Sequence, residues 1–295
     1  MKESTKDIIR LHGWRLDRSA HNYLYFAFYD VYVKVLLAAG NFLARHFSGF
    51  RAIGEAFRLV FERYHAKVVT IDDASKLLTL KEDVVIGPER AERVLPFQRA
   101  NRIILKEPDF IAVMDCPCRL AREEGCRPVN VCLAVGKTTA NFWLEHGAKY
   151  HARKISGQEA VDILRGAVER GNIITSWFKV ATGGRTGVIC SCCSCCCGGL
   201  ESMRMARKLK GGEGLSNIVA SGYVAVVDRD RCVSCGACAD LCLFSAIALD
   251  RSGTPLEDSM LCMGCGLCAE RCEAGARRLV RGGPGGVPLD IDDLR

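Results

Sequence analysis

Eight of the chain's eighteen cysteines fall into two runs of identical spacing. They are Cys232-x2-Cys235-x2-Cys238-x3-Cys242 and, thirty residues on, Cys262-x2-Cys265-x2-Cys268-x3-Cys272. Three thiolates spaced two residues apart fit on one tight loop, and a fourth follows on the next segment; this is the donor set of a cubane iron–sulfur cluster. Gly236 and Gly266, inside the loops, let backbone N–H groups turn toward cluster sulfides and stabilise the reduced state. Paired Cys-x2-Cys units also close structural zinc sites, but two interleaved runs of four with this spacing are rare among those.

The segment from about Tyr223 to Arg281 reads YVAVVDRDRCVSCGACADLC and then repeats as DSMLCMGCGLCAERC. It resembles the bacterial-type two-[4Fe-4S] ferredoxin domain, here about residues 221–281. The resemblance implies two pseudo-symmetric halves, each a cluster loop and a short helix backed by small hairpins. It also implies crossed ligation, with one cluster on Cys232, Cys235, Cys238 and Cys272 and the other on Cys262, Cys265, Cys268 and Cys242. The residue after the fourth cysteine is usually proline in that domain; here it is Leu243 in one run and Glu273 in the other. Proline is not a ligand, so the departure touches the rigidity and exposure of the loop rather than ligation.

Ten cysteines lie outside this segment. Cys116, Cys118, Cys126 and Cys132 form one group, and Cys190, Cys192, Cys193, Cys195, Cys196 and Cys197, followed by Gly198 and Gly199, form the other. Six cysteines in eight residues have no packing rationale, and disulfides between adjacent cysteines are strained, which leaves metal or sulfur chemistry. Ten thiolates suffice for two four-thiolate clusters, for one non-cubane cluster, or for a cluster beside a redox-active dithiol. Cys116-Pro117-Cys118 is similar to the motif of ferredoxin–thioredoxin reductase, although the downstream spacings differ. MDCPCR and CxCCxCCCGG joined to a ferredoxin domain resemble a class of iron–sulfur proteins of anaerobes to which no reaction attaches.

The elements that must position these thiols suggest an α+β chain. Residues 1–95 read as a helical region, with amphipathic helices over Asp17–His46 and Gly49–His65 and a charged connector with a short helix over Ile71–Arg93. Residues 96–215 read as a small mixed α/β cysteine-rich module. In it, Pro96–Leu105 has helical phase, Phe110–Met114 is a strand leading into Cys116, and Asn172–Trp177 and Gly187–Cys190 are strands. Ser156 and Glu159 form a capping box that starts a helix stopped by Gly171. Both cysteine groups follow apolar strands and are expected to converge at one end of this module. Residues 282–295, with their Gly-Gly-Pro-Gly-Gly, read as a flexible tail.

Composition narrows the function classes. The net charge of +7 falls to roughly +3 once two clusters of about −2 each are added, and no basic run with interleaved aromatics points to nucleic acid. No basic–apolar–small leader pattern is present at the N-terminus, so the expected compartment is a reducing cytoplasm, that of an anaerobe. Asp30 and Lys34 interrupt the aromatic hairpin Ser19–Tyr64, so no transmembrane segment is expected. A hairpin holding more than half of the aromatics needs a cover, which suggests a homo-oligomer or a subunit of a larger redox complex. His21 and His46 are read as ordinary helix residues rather than ligands. Gly183-Gly184 lacks the Rossmann spacing, and no Walker A run, G-x-S-x-G or H-E-x-x-H occurs. The chain therefore reads as an electron-transfer protein or redox subunit passing low-potential electrons among redox partner proteins. It would carry two [4Fe-4S] clusters and one or two further N-terminal iron–sulfur clusters. The alternatives are a reductase acting on a disulfide or activating a cofactor, and a cluster-based redox sensor.

Overall fold

A computed structural model describes all residues except 15, 63, 96–102, 180–185, 213 and 295. Its centre is a seven-stranded sheet in the order β6-β4-β5-β8-β7-β1-β9. The strands are β1 (Tyr64–Val69), β4 (Ile111–Asp115), β5 (Asn130–Val135), β6 (Arg153–Ile155), β7 (Ile173–Lys179), β8 (Thr186–Cys192) and β9 (Ile218–Val219). All neighbours are antiparallel except β1 and β9. A separate short ladder pairs β2 (Val84–Ile86) with β3 (Ile103–Leu105).

Period-two alternation divides the sheet residues between its faces. Ile111, Val113, Leu133, Val135, Ile174 and Ile189 form one core with α5 (Ile71–Leu78), α6 (Pro88–Val94) and α9 (Gly157–Glu169). Ala112, Met114, Cys132, Ala134 and Val188 point the other way, toward α8 (Lys137–His146) and the aromatic residues Tyr25 and Tyr29. The same alternation places Cys132, Cys190 and Cys192 on this second face. Over it lie α1 (Glu3–His12), α2 (Leu16–Ala27) and α3 (Tyr29–His46), with α4 (Arg51–Phe61), α7 (Pro117–Leu120) and α10 (Gly198–Ala206) around its end.

The C-terminal segment is built from two half-units. The first holds β10 (Tyr223–Val227), α11 (Ala237–Asp240) and β11 (Ile247–Leu249); the second holds β12 (Pro255–Glu257), α12 (Leu267–Glu270) and β13 (Arg277–Arg281). β10 pairs with β13 and β11 with β12, so the outer strands of the repeat close on each other. Asp228 and Asp258 start the two cysteine loops in the same way, each accepting two backbone N–H bonds from residues two and three further on.

Several elements differ from the sequence reading. The first hairpin helix breaks at Phe28, where the axis turns through 96° between Ser19–Tyr25 and Tyr29–His46. The second ends at Phe61, because Tyr64 and His65 belong to β1. The 1–95 region is thus not purely helical: β1 sits inside the sheet between β7 and β9. Its Lys67 is buried, and that ammonium group donates to Val94 O, Ala220 O and Gly285 O at 2.7, 3.1 and 2.8 Å. Ile71–Arg93 holds two helices and a strand rather than one helix. Ile103–Leu105 is strand, not helix; the remainder of that expected helix, and Gly183-Gly184, lie outside the described residues. The strand before Cys116 and the capped helix α9 are as read, with Ser156 Oγ accepting from Glu159 N. The expected tail is packed rather than loose: Leu289, Ile291 and Leu294 of α13 (Ile291–Leu294) and the residues before it are buried in the α5–α9 core. Asp290 there pairs with Lys76 and Arg281 at 2.8 and 2.9 Å.

Candidate cluster sites

Each loop of the C-terminal segment turns on a glycine with left-handed backbone, Gly236 at φ +77° and Gly266 at φ +81°, directly before its short helix. A side chain there would be strained, and the turn is what aims successive N–H groups inward. The fourth thiol of each run receives a backbone bond of the same length: Ala246 N–H to Cys242 Sγ and Ala276 N–H to Cys272 Sγ, both 3.3 Å. One cavity is walled by Cys262, Cys265 and Cys268 of the second run together with Cys242 of the first. Burial pushes the Cys265 thiol up to about 12 and Cys268 to about 11, and Cys242 is among the charged neighbours of both.

Arg277 lies beside thiols of both loops. It is buried, its charge interacts with Cys268 and Cys238, its Nη1 donates to Glu257, and its Nε and Nη2 meet no nitrogen or oxygen acceptor among the described residues. Buried donors without acceptors are costly, and cluster sulfides are acceptors of the right charge. The two loops differ in environment. Cys235 is exposed and Val233 is 70% exposed, whereas Gly264, Gly266 and Leu267 are buried.

The second cysteine constellation does converge, as the strands suggested. Cys132 and Cys190 are cross-strand partners with Sγ atoms 3.6 Å apart. Cys116, at the end of β4, interacts with Cys118 and Cys132. Cys197 lies 3.1 Å from Cys192, whose sulfur also meets Thr175 Oγ1 at 3.2 Å. These six thiols line one pocket whose cavity is about 140 Å³. Its opposite wall is the inner face of the helical hairpin, with Tyr25, Tyr29, Tyr32 and Leu37, joined by Tyr64 at the start of β1. Burial holds the Tyr25 and Tyr29 hydroxyls well above the usual phenol range.

Arg119, the one arginine lining the pocket among the described residues, is 2% exposed and donates to Pro128 O, while its Nε and Nη2 have no partner among those residues. Hydrogen bonds from Cys118 and Cys132, aided by Arg119, hold Cys116 well below the usual thiol range. Thiolates, a buried guanidinium with free donors and apolar walls fit an anionic iron–sulfur centre. The sequence reading missed Arg119 and the tyrosine wall. Arg119 directly follows Cys-Pro-Cys, but the tyrosines read only as an interface.

The remaining four thiols gather separately. The Sγ atoms of Cys126, Cys193, Cys195 and Cys196 lie within 4.8 Å of one another, the one such group among the described residues. Cys193 and Cys196 reach the pocket wall from this side. His21 and His46 join neither set: His21 bonds Tyr64, and His46 is exposed beside Phe42.

The two regions touch. Cys192, Cys197, Ala66, Val68, Leu200 and Met203 form an apolar cluster against which Leu243, Phe244, Met263 and Cys265 pack. Leu243 thus replaces the usual proline at a point where the loop meets the cysteine-rich sheet, while Glu273, its counterpart, is exposed.

The family profile of the 4Fe-4S binding domain matches residues 225–247, which contain the first loop, its helix and its fourth cysteine. The chain therefore carries an iron–sulfur binding segment of that kind. No curated protein and no solved structure matches the chain.

Proposed function

We propose that the chain is an electron-transfer protein, or a redox-complex subunit, that relays low-potential electrons inward through two [4Fe-4S] clusters to a further iron–sulfur centre in the six-thiol pocket. The outer cluster takes Cys232, Cys235, Cys238 and Cys272, and its exposed loop meets the redox partner. The inner cluster takes Cys262, Cys265, Cys268 and Cys242. The observation that carries the reading is Cys265, an inner-cluster ligand packed against the apolar cluster that contains Cys192 and Cys197. Such contact supports a relay, because centres held on these thiols would lie close together through dry protein. The test is the full chain purified without oxygen. Reductive titration followed by EPR should resolve magnetically interacting cubane signals and a third, distinct species, with acid-labile sulfide above the ~8 per chain of two cubanes. Zinc alone, without labile sulfide, would sink the reading.

One observation favours a second reading, a reductase: the pocket beside Cys190–Cys197 has room for a small molecule and a wall of tyrosine hydroxyls. Two electrons from the clusters and two protons would cleave a bound disulfide to two thiols. With reduced methyl viologen in excess as the electron donor, the protein should then reduce small aromatic disulfides over many turnovers, taking up two electrons and two protons per disulfide. Stoichiometric oxidation that stops after one turnover would leave the relay alone.

A further inference from the structure

The ten N-terminal cysteines divide by geometry. Six spread around the pocket in pairs, whereas Cys126, Cys193, Cys195 and Cys196 close on a single point, with every sulfur within 4.8 Å of the others. Four thiolates around one ion at about 2.3 Å define a tetrahedron with edges of ~3.8 Å. A cubane places an iron between its centre and each thiolate and so spreads its sulfurs much farther. No three thiols of the ferredoxin-like runs approach this closely among the described residues.

Local structure supports the compact arrangement. Cys126 Sγ lies 2.8 Å from Cys195 Sγ, and Cys195 Sγ lies 3.6 Å from Cys196 Sγ, so chain neighbours point both sulfurs at the same place. The Cys126 N–H donates to Cys196 Sγ at 3.3 Å, a bond that stabilises a thiolate ligand. Arg122 ties the two loops further, through Glu201 and the Cys196 carbonyl. Cys195 is exposed and Cys126 partly so, while Cys193 and Cys196 are buried, so one side of the site opens to solvent.

We propose that Cys126, Cys193, Cys195 and Cys196 bind one divalent ion, zinc or iron, as a mononuclear tetrathiolate centre separate from the six-thiol pocket. The ion staples the 119–130 loop to the turn after β8 and holds the pocket wall at Cys193 and Cys196. The inference deepens the relay reading but does not depend on a cluster in the pocket.

The experiment counts zinc, iron and acid-labile sulfide in the full chain purified without oxygen. The double variant Cys126→Ser, Cys195→Ser should lose one metal ion per chain with sulfide unchanged. Cys132→Ser, in the pocket, should instead lose iron and sulfide together; sulfide unchanged there would count against the pocket cluster and leave the mononuclear site standing. X-ray absorption of the unaltered protein covers the case in which the double variant fails to fold. At the zinc edge the site should show a sulfur shell of four at about 2.3 Å, and an iron-loaded site should instead show the Mössbauer doublet of a mononuclear high-spin ferrous tetrathiolate beside the cluster iron. Loss of iron and sulfide in equal amounts from the double variant overturns the proposal. So does a Cys126–Cys195 disulfide with no metal lost.

Discussion

Cys132 and Cys190 stand opposite each other on neighbouring antiparallel strands, with Sγ atoms 3.6 Å apart although they are 58 positions apart in the chain. At that separation they are not a disulfide, whose sulfurs sit at about 2 Å. They are two donors offered side by side to the pocket that Arg119 backs. Cys190→Ser should therefore cost iron and sulfide from the pocket centre while leaving the C-terminal clusters intact. EPR of the reduced variant checks this: the cubane signals persist and the third species disappears. Because ligation contributes directly to folding, thermal stability should fall as well.

Crossed ligation has its own test. Cys242 shares a cavity with Cys262, Cys265 and Cys268. Cys242→Ser should damage the inner cluster, and Cys272→Ser the outer one built on Cys232–Cys238. The inner cluster is the one packed on the cysteine-rich sheet, so Cys242→Ser should also stop electrons from reaching the pocket. Time-resolved reduction of the two variants separates these outcomes, and the opposite pattern would show that each run serves its own cluster.

Arg277 should set the potentials of both clusters. It sits by Cys238 and Cys268, which belong to different proposed clusters. A buried positive charge stabilises the reduced, more negative state. With an effective dielectric constant of ~20 and a distance of ~8 Å, one unit charge is worth about 2 kcal/mol, or on the order of 90 mV for one electron. Arg277→Met should lower both midpoints by tens of millivolts with iron content unchanged. A shift confined to one cluster would mean that the side chain serves only that one.

How much of this was readable in advance follows from the range of each signal. The two C-terminal cysteine runs are local signals carried by spacing within each loop, and the 4Fe-4S binding domain profile matches the first of them. Convergence of the two N-terminal groups at one end of the module followed from the strands, because Cys132, Cys190 and Cys192 obey the two-residue period. The division of their ten thiols into six and four was not legible. Cys126 meets Cys195 only through strand order and loop closure, which no local pattern encodes. The break at Phe28 was hidden because the apolar period runs straight through it. β1 was hidden by His65 and Lys67, polar residues that read as solvated but are buried. The tail was hidden by its glycines, although Gly285 supplies a carbonyl to Lys67.

His65 gives the fold a defined acid sensitivity. It is buried, stacks on Phe178, and its pKa is lowered to about 4 by burial. The unfolded chain takes up this proton near pH 6.5, whereas the folded chain resists until about 4. Stability is thus unaffected above the unfolded value and is lost as pH falls from there toward 4, by about 3 kcal/mol in total. His65→Phe should remove this part of the acid dependence. Melting temperatures of both proteins at pH 7.5 and pH 5 provide the check, and an equal drop in the two would assign the sensitivity to other groups.

The last prediction concerns the outer face of the hairpin. Its inner face lines the pocket, with Tyr25, Tyr29 and Leu37 buried. Its outer face leaves Val31, Val35 and Phe42 more than half exposed on α3, and Leu24 and Phe28 equally so beside it. No single helix among the described residues is long and apolar enough to cross a membrane. Contiguous apolar surface of this kind marks an interaction site. We propose that this face is buried against a second copy of the chain or a redox partner subunit. Val35 and Phe42 are seven residues apart and so share one side of the helix. The double variant Val35→Glu, Phe42→Glu should dissociate the assembly without changing iron or sulfide content, because neither side chain lines the pocket. Light scattering of the unaltered protein at micromolar concentration decides first: a larger species is expected, alone or with a co-purifying subunit, and a monomer would refute the interface.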